Sequence, residues 1–282
     1  MLRVHRPGYR AVDETTAELA LLEGLARRGR VRAPRPVPTK AASLVAEVPG
    51  PAGGGSRHCD VLTWVEGRVL RPTMGLGVSG SRALGHALGN LHNEIAGLEL
   101  SELRHLPRWD TAALFTEASP FRPGLLQESF ASDQIELIQQ VAELTDEVFA
   151  DLQAERSPYG VIHSDYILGN CRVRRRAGQW DVGIIDFDDC GRGYHVYDLA
   201  AMVGNLADFP NYVRMRDAFL AGYRSVRELN GSAATHLPVL MAARHTVSSL
   251  CAAGKAHRNA SGASEHIAYR MEQIHRCLAL RR

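Results

Sequence analysis

The chain has 282 residues, of which 45% are hydrophobic and 23% charged, the balance of a globular protein able to bury a large core in one domain or two lobes. Its formal net charge is +2, so bulk charge gives no case for a nucleic-acid or membrane partner. The cysteines Cys59, Cys171, Cys190, Cys251 and Cys277 include no Cys-x-x-Cys pair, which speaks against a zinc knuckle or a disulfide framework and for free thiols in a reducing compartment.

Leu2 to His5 reads as a short strand. Asp13 is a candidate N-cap for a helix from Glu14 to about Arg28, with Ala17, Leu21, Leu22 and Leu25 on one face and Gly29 at its end. The prolines of Ala33-Pro34-Arg35-Pro36-Val37-Pro38 predict an extended connector. Ser43 to Val48 and Cys59 to Val65 read as strands around a Gly/Pro loop from Pro49 to Ser56.

After Gly67 the texture becomes helical. Leu84, Leu88, Leu91 and Ile95 predict a helix over 81–95, and Ile135, Ile138, Val141, Leu144, Val148 and Leu152 one over 133–152. Tyr159 to His163 reads as a buried strand. Cys171 to Arg175 and Trp180 to Phe187 flank Ala177-Gly178 and read as a hairpin. From Leu199 onward the pattern is mostly helical, broken near Pro210, Gly231 and Gly262. The N-terminus has no signal-peptide core, and no apolar run reaches membrane-spanning length. The expectation is a soluble, cytoplasmic protein with no membrane or nucleic-acid partner.

The stretch His163-Ser164-Asp165-Tyr166-Ile167-Leu168-Gly169-Asn170, then Ile184-Ile185-Asp186-Phe187-Asp188-Asp189, then Asp198-Leu199-Ala200 carries the chemistry. Asp165 follows an apolar strand and enters a loop, where a carboxylate can orient a hydroxyl and accept its proton. Asn170 offers an oxygen that suits Mg²⁺, and Asp186 closes an apolar strand where it can bridge metal and phosphates. Asp188 and Asp189 fit a second metal ligand, an N-cap or plain surface. His163 fits a general base, or a buried ring bonded to backbone carbonyls that shapes the loop; the second is preferred. Asp198 fits a further catalytic acid, or an acceptor of backbone N–H groups that braces the loop, again with the second preferred. A dinuclear metal hydrolase would need more histidine ligands with recognisable spacing.

These motifs, with Leu2-Arg3-Val4-His5-Arg6-Pro7-Gly8-Tyr9, resemble the aminoglycoside phosphotransferase and choline kinase superfamily, and within it the branch of type II homoserine kinases and stress-response Ser/Thr kinases. The resemblance implies an α+β, bilobal protein-kinase-like fold. It assigns residues 1–67 to a small antiparallel N-lobe with its hinge, and 68–282 to a helical C-lobe carrying the catalytic loop and metal-binding hairpin. It implies ATP and Mg²⁺ as cofactors and a small hydroxyl compound as acceptor. Asp165 matches the catalytic aspartate, Asn170 and Asp186 the metal ligands, and His163 and Asp198 the structural support. Arg3 matches the phosphate-binding cation of the third strand, Glu18 its partner on the helix, and Leu62, Thr63, Trp64 and Val65 the adenine-holding hinge. Ser164 stands where the family commonly has Gly. Two family strands expected ahead of Leu2 are not in this sequence, which would leave a strand edge at Leu2–His5 available to a second copy. The resemblance alone leaves a small-molecule kinase, a Ser/Thr protein kinase and a non-catalytic kinase-like protein as readings.

Overall fold

The computed structural model describes residues 1–5, 10–50, 55–70, 76–116, 119, 126–229, 231–256 and 263–281. The expected loop around 51–54 and the break at Gly262 lie outside them. In chain order the strands and helices are β1 (Leu2–Val4), α1 (Val12–Arg28), β2 (Ala46–Val48), β3 (Arg57–Val61), β4 (Arg68–Val69), α2 (Gly77–Ala96), α3 (Thr111–Phe115), α4 (Ser132–Ala154), β5 (Tyr159–Ile162), β6 (Cys171–Arg176), β7 (Gln179–Ile184), β8 (Gly191–Tyr194), α5 (His195–Leu206), α6 (Tyr212–Arg224), α7 (Gly231–Thr235), α8 (Leu237–Ala256) and α9 (Ala263–Ala279). The small antiparallel sheets and the helical bulk are those of the expected α+β class.

The chain divides into two compact units. The first comprises Met1–Pro107, Val161–Arg192 and Asn205–Glu228; the second comprises Arg108–Gly160, Gly193–Gly204 and Leu229–Arg282.

In the first unit β1, β3 and β2 form an antiparallel sheet in that order. Its register sets Arg3 opposite Asp60 and Val4 opposite Cys59. Helix α1 buries Ala17, Leu19, Leu21, Leu22 and Leu25. It starts earlier than the sequence suggests: the N-cap is Ala11, not Asp13, because the Glu14 carboxylate accepts the Ala11 N–H at 2.9 Å. Gly29 ends it at φ 68°, its N–H bonded to the Leu25 carbonyl. The strand read over 59–65 stops at Val61. The Leu62 N–H turns to the carbonyl of Met1, and that of Thr63 to the carbonyl of Arg35.

A second sheet has the order β4-β6-β7. The β6–β7 hairpin closes through Ala177 and Gly178 at φ 49° and 77°. Positive φ at both central residues is the twist-matched geometry for a two-residue hairpin loop. Strand β7 ends at Ile184, short of Phe187, because Asp186 turns out of the sheet at φ 68°. The two-residue β4 and the strand Gly191-Arg192-Gly193-Tyr194 were not foreseen; neither has enough alternating apolar residues to signal a strand.

Helices α2 and α6 pack with their backbones in close approach. A Cβ at Gly85 would run into the Phe219 carbonyl, and one at Gly222 into the Arg82 carbonyl. Ser81 donates to the Met215 carbonyl at 2.6 Å, and His92 Nδ1 lies 2.9 Å from the Tyr223 hydroxyl. The Tyr166 hydroxyl donates to the Leu84 carbonyl at 2.9 Å and ties the loop after β5 to α2. In the second unit α8 packs on α4 and α9. No helix among the described residues is long and apolar enough to cross a membrane.

Burial pushes the imidazoles of His92 and His245 down to about 3 from the ordinary 6.5. Both are therefore neutral in the fold. The unfolded chain takes up these protons near pH 6.5, while the folded protein holds them off until about pH 3. Stability is expected to fall as pH drops through that window, by up to roughly 1.4 kcal/mol per pH unit for each histidine. Denaturant titrations at pH 7, 6 and 5 check this; His92→Gln is expected to flatten the dependence by one proton's share.

Candidate active site

The loop from His163 to Asn170 and the turn after β7 meet within the first unit. The Ile185 N–H donates to the Asn170 carbonyl at 2.9 Å. The Asn170 side-chain amide donates through Nδ2 to both the main-chain oxygen and Oδ2 of Asp165, each at 2.9 Å. This fixes the Asp165 carboxylate. With Nδ2 engaged by two acceptors, Oδ1 is the Asn170 atom left to face a cation. The Leu168 N–H is taken by Asn205 Oδ1 at 3.0 Å, so α5 also holds the loop through its last turn. His163 is fully buried; its Nε2 lies 2.9 Å from the Ile185 carbonyl and its ring centroid 4.6 Å from that of Phe187.

Asp186 is held in the left-handed region, a conformation that costs of order 1–2 kcal/mol for a residue with a Cβ. Loss of water around its carboxyl, and then the negative charge of Asp188, Asp165 and Asp189, push it up to about 8. One side of the residue stays open to solvent. Clustered carboxylates create a local negative potential that a divalent cation relieves. Asn170 Oδ1 and the Asp186 carboxylate are hard oxygen donors of the kind Mg²⁺ takes alongside water and phosphate. Among the described residues no group of three or more His, Cys, Asp or Glu side chains is arranged to hold a metal.

A second cluster sits on the β1-β3-β2 sheet. Arg3 Nη1 contacts Glu18 Oε1 at 2.6 Å, while its Nε and Nη2 bond Asp60 at 2.9 and 3.0 Å. His5 Nε2 lies 2.6 Å from Asp60 Oδ2. Burial opposes every charge here. At Arg3 it is outweighed by Glu18 and Asp60, which hold the guanidinium above its ordinary value. At Asp60 it is outweighed by the hydrogen bonds from His5 and Arg3, which keep the carboxyl below the usual range. At Glu18 burial prevails over Arg3 and the carboxyl is raised. The short contact to an always-charged guanidinium keeps the Arg3–Glu18 pair ionic.

The other expected residues are located as follows. Leu62 and Val65 are buried, Thr63 is half-buried, and Trp64 is 61% exposed with the Arg172 guanidinium 5.1 Å from its ring. Asp198 is fully buried in the first turn of α5, within the second unit. Cys190 beside the acidic run is buried and its thiol is pushed well up, first by burial and then by the charge of Glu18, which makes it a poor nucleophile.

Three contributors were not found from the sequence. Asp60 completes the Arg3 fork. Arg10 donates through Nε to the Asp188 carbonyl at 3.0 Å and lies 3.6 Å from the Asp189 carboxylate. Ser164 adopts φ 65° and donates to the Asp189 carbonyl at 2.6 Å. Asp60 had a signal, since it faces Arg3 once β1 and β3 are paired; Arg10 had none. The left-handed backbone at position 164 is one that Gly adopts without strain. Ser164→Ala keeps the strained Cβ and loses the donor, and is expected to destabilise by about 1–2 kcal/mol. Ser164→Gly relieves the strain and is expected to stay within about 1 kcal/mol of wild type. Denaturant midpoints order the three.

The signature of the phosphotransferase enzyme family covers residues 1–234. A homoserine kinase of Brucella anthropi is 31% identical over 231 residues, 79% of this chain and 62% of that protein. The chain thus spans less than two thirds of the length of that relative. A microcompartment-associated aminopropanol kinase of known structure is similar over 99% of this chain and 86% of its own, with TM-score 0.80 and 26% identity. A spectinomycin phosphotransferase solved with ADP and spectinomycin is similar over 99% of this chain and 84% of its own, with TM-score 0.63 and 16% identity, a likeness of fold alone. These similarities bear out the protein-kinase-like fold.

Proposed function

The chain belongs to the phosphotransferase enzyme family, and from that premise we propose that it moves the γ-phosphate of ATP, with Mg²⁺, to the hydroxyl of a small amino alcohol. The observation that carries this reading is the Asn170 amide fastened to Asp165 by two 2.9 Å bonds beside the raised carboxyl of Asp186. The names of the homoserine kinase and the aminopropanol kinase favour an acceptor with amine and hydroxyl groups.

Asp165 orients the acceptor hydroxyl and accepts its proton as the oxygen bonds to the γ-phosphorus and the bond to the ADP oxygen breaks. Asn170 Oδ1 and Asp186 would hold Mg²⁺, which when bound neutralises charge on the phosphates. Arg3, positioned by Glu18 and Asp60, steadies the phosphates. The main chain of residues 62–65 receives the adenine. His163 supports the loop, and Asp198 keeps a structural role within α5. Action in the cytoplasm, a boundary between lobes near residue 67, and pairing of two copies along the β1 edge, where Leu2 and Val4 are exposed, belong to the same reading.

The test is a coupled assay of ADP release with homoserine, aminopropanol, ethanolamine, choline, sugars and aminoglycosides as acceptors. Magnesium-dependent turnover with one or more amino alcohols is expected. No acceptor-stimulated release with any of them, or labelled phosphate found only on proteins, would overturn it.

A further inference from the structure

A cavity of about 930 Å³ lies within the first unit, and neither Asp165, Asn170 and Asp186 nor Arg3 and Glu18 line it. Its walls come from residues 30–32, from α2 and from the β6–β7 hairpin. Among the described residues Arg30, Arg32, Arg82, Arg175 and Arg176 line it, against Asp181 as the single lining carboxylate.

These charges are not equivalent. Arg32 is consumed by the fold: its Nε takes Asp181 Oδ1 at 3.2 Å and its Nη2 the carbonyls of Arg172 and Asp181 at 2.8 and 3.0 Å. Asp181 also receives Arg174 at 2.6 Å, so its charge is already answered twice. Arg30 leans on Glu94 at 3.4 Å. Arg175 is held in place, its guanidinium 3.8 Å over the Trp180 ring and its Nη1 donating to the Gly178 carbonyl at 2.9 Å. That leaves most of its fork undirected. Arg82 and Arg176 are exposed, and among the described residues their guanidinium groups have no recorded partner. Three guanidinium groups thus converge on one concavity with no carboxylate of their own.

We propose that this cavity is a second ligand site, distinct from the phosphoryl-transfer centre, which takes a small molecule bearing two or more phosphates without a metal ion. Guanidinium forks match phosphate oxygens in pairs, and an arginine already stacked on tryptophan loses little freedom on binding. The volume exceeds what a lone phosphate fills and falls in the range of small-molecule pockets, roughly 300–1,000 Å³.

The test is calorimetric titration of the whole protein in EDTA with inorganic tripolyphosphate, and separately with citrate. Tripolyphosphate is expected to bind wild type, to weaken as salt is raised, and to bind Arg82→Ala/Arg176→Ala at least tenfold more weakly. Citrate is expected to bind at least tenfold more weakly than tripolyphosphate. The variant is expected to keep its unfolding midpoint and its ATP turnover, because neither side chain belongs to the fold's interior or to the transfer site. Arg176→Ala alone provides a milder second variant, with an intermediate loss expected. Absence of binding to wild type, equal affinity in the double variant, equal affinity for citrate, or turnover that falls with the double substitution would each overturn the proposal. Failure of the proposed phosphoryl transfer, by contrast, would show only in the ADP-release assay.

Discussion

Asp186→Asn and Asp165→Ala are each expected to cut turnover about 10²- to 10⁴-fold while moving stability in opposite directions. A base that positions and deprotonates the acceptor contributes about 10²–10⁴, and charge stabilisation at the phosphates is worth several kcal/mol, at about 1.4 kcal/mol for each tenfold in rate. Stability separates the two because their surroundings differ. Asp186 sits where loss of water, and then repulsion from Asp188, Asp165 and Asp189, push its carboxyl up to about 8. An amide removes that repulsion, and Asn tolerates the left-handed backbone at φ 68°. Solvent on its open face screens the repulsion, so a modest gain of about 0.5–1 kcal/mol is expected without metal. Asp165→Ala instead deprives the Asn170 amide of its Oδ2 acceptor, and about 1–2 kcal/mol should be lost. Steady-state rates with denaturant melts on the same samples check both. Equal rates for wild type and Asp165→Ala would remove Asp165 from the catalytic role.

Arg3→Ala is expected to destabilise the protein by about 3–5 kcal/mol, the scale for breaking a buried ion pair from one side. The side chains of Glu18 and Asp60 are 5% and 0% exposed, and without Arg3 two carboxylates would share that interior with His5 as the basic side chain in hydrogen-bond reach. Arg3→Lys should fall between, since one ammonium cannot reproduce a fork that meets Glu18 with one nitrogen and Asp60 with two others. In a double-mutant cycle, Arg3→Ala with Asp60→Asn should cost less than the sum of the single changes. If Arg3→Ala unfolds at the wild-type midpoint, the cluster does not stabilise the fold. If it folds and retains wild-type affinity for ATP, Arg3 does not serve the phosphates.

Long helices were legible in the sequence because burial of one face repeats with the helical period. Leu84, Leu88, Leu91 and Ile95 gave α2, and the stripe from Ile135 to Leu152 gave α4. The β6–β7 hairpin was legible from Ala177-Gly178, whose φ values the turn requires. Strands β4 and β8 were not, since pairing with a neighbour, not an apolar pattern of their own, makes them strands. The start of α1 was misplaced by two residues because Glu14, reaching back, supplies the cap that Asp13 was expected to give.

The candidate site divides the same way. His163, Asp165, Asn170, Asp186 and Asp198 lie within one stretch, so local spacing sufficed to name them. Asp60 joins Arg3 across 57 positions and Arg10 joins Asp188 across 178; no local pattern encodes such contacts. By itself the sequence determined the family and the helical bulk and named the candidate oxygen donors, because each depends on residue type and short spacing. Only the tertiary structure decided that Arg3 answers two carboxylates, that position 164 is left-handed, and that arginines from α2 and the hairpin face one cavity. Those outcomes depend on which distant segments share a low-dielectric interior or a common wall, and burial and charge pairing act only once the chain has brought them together.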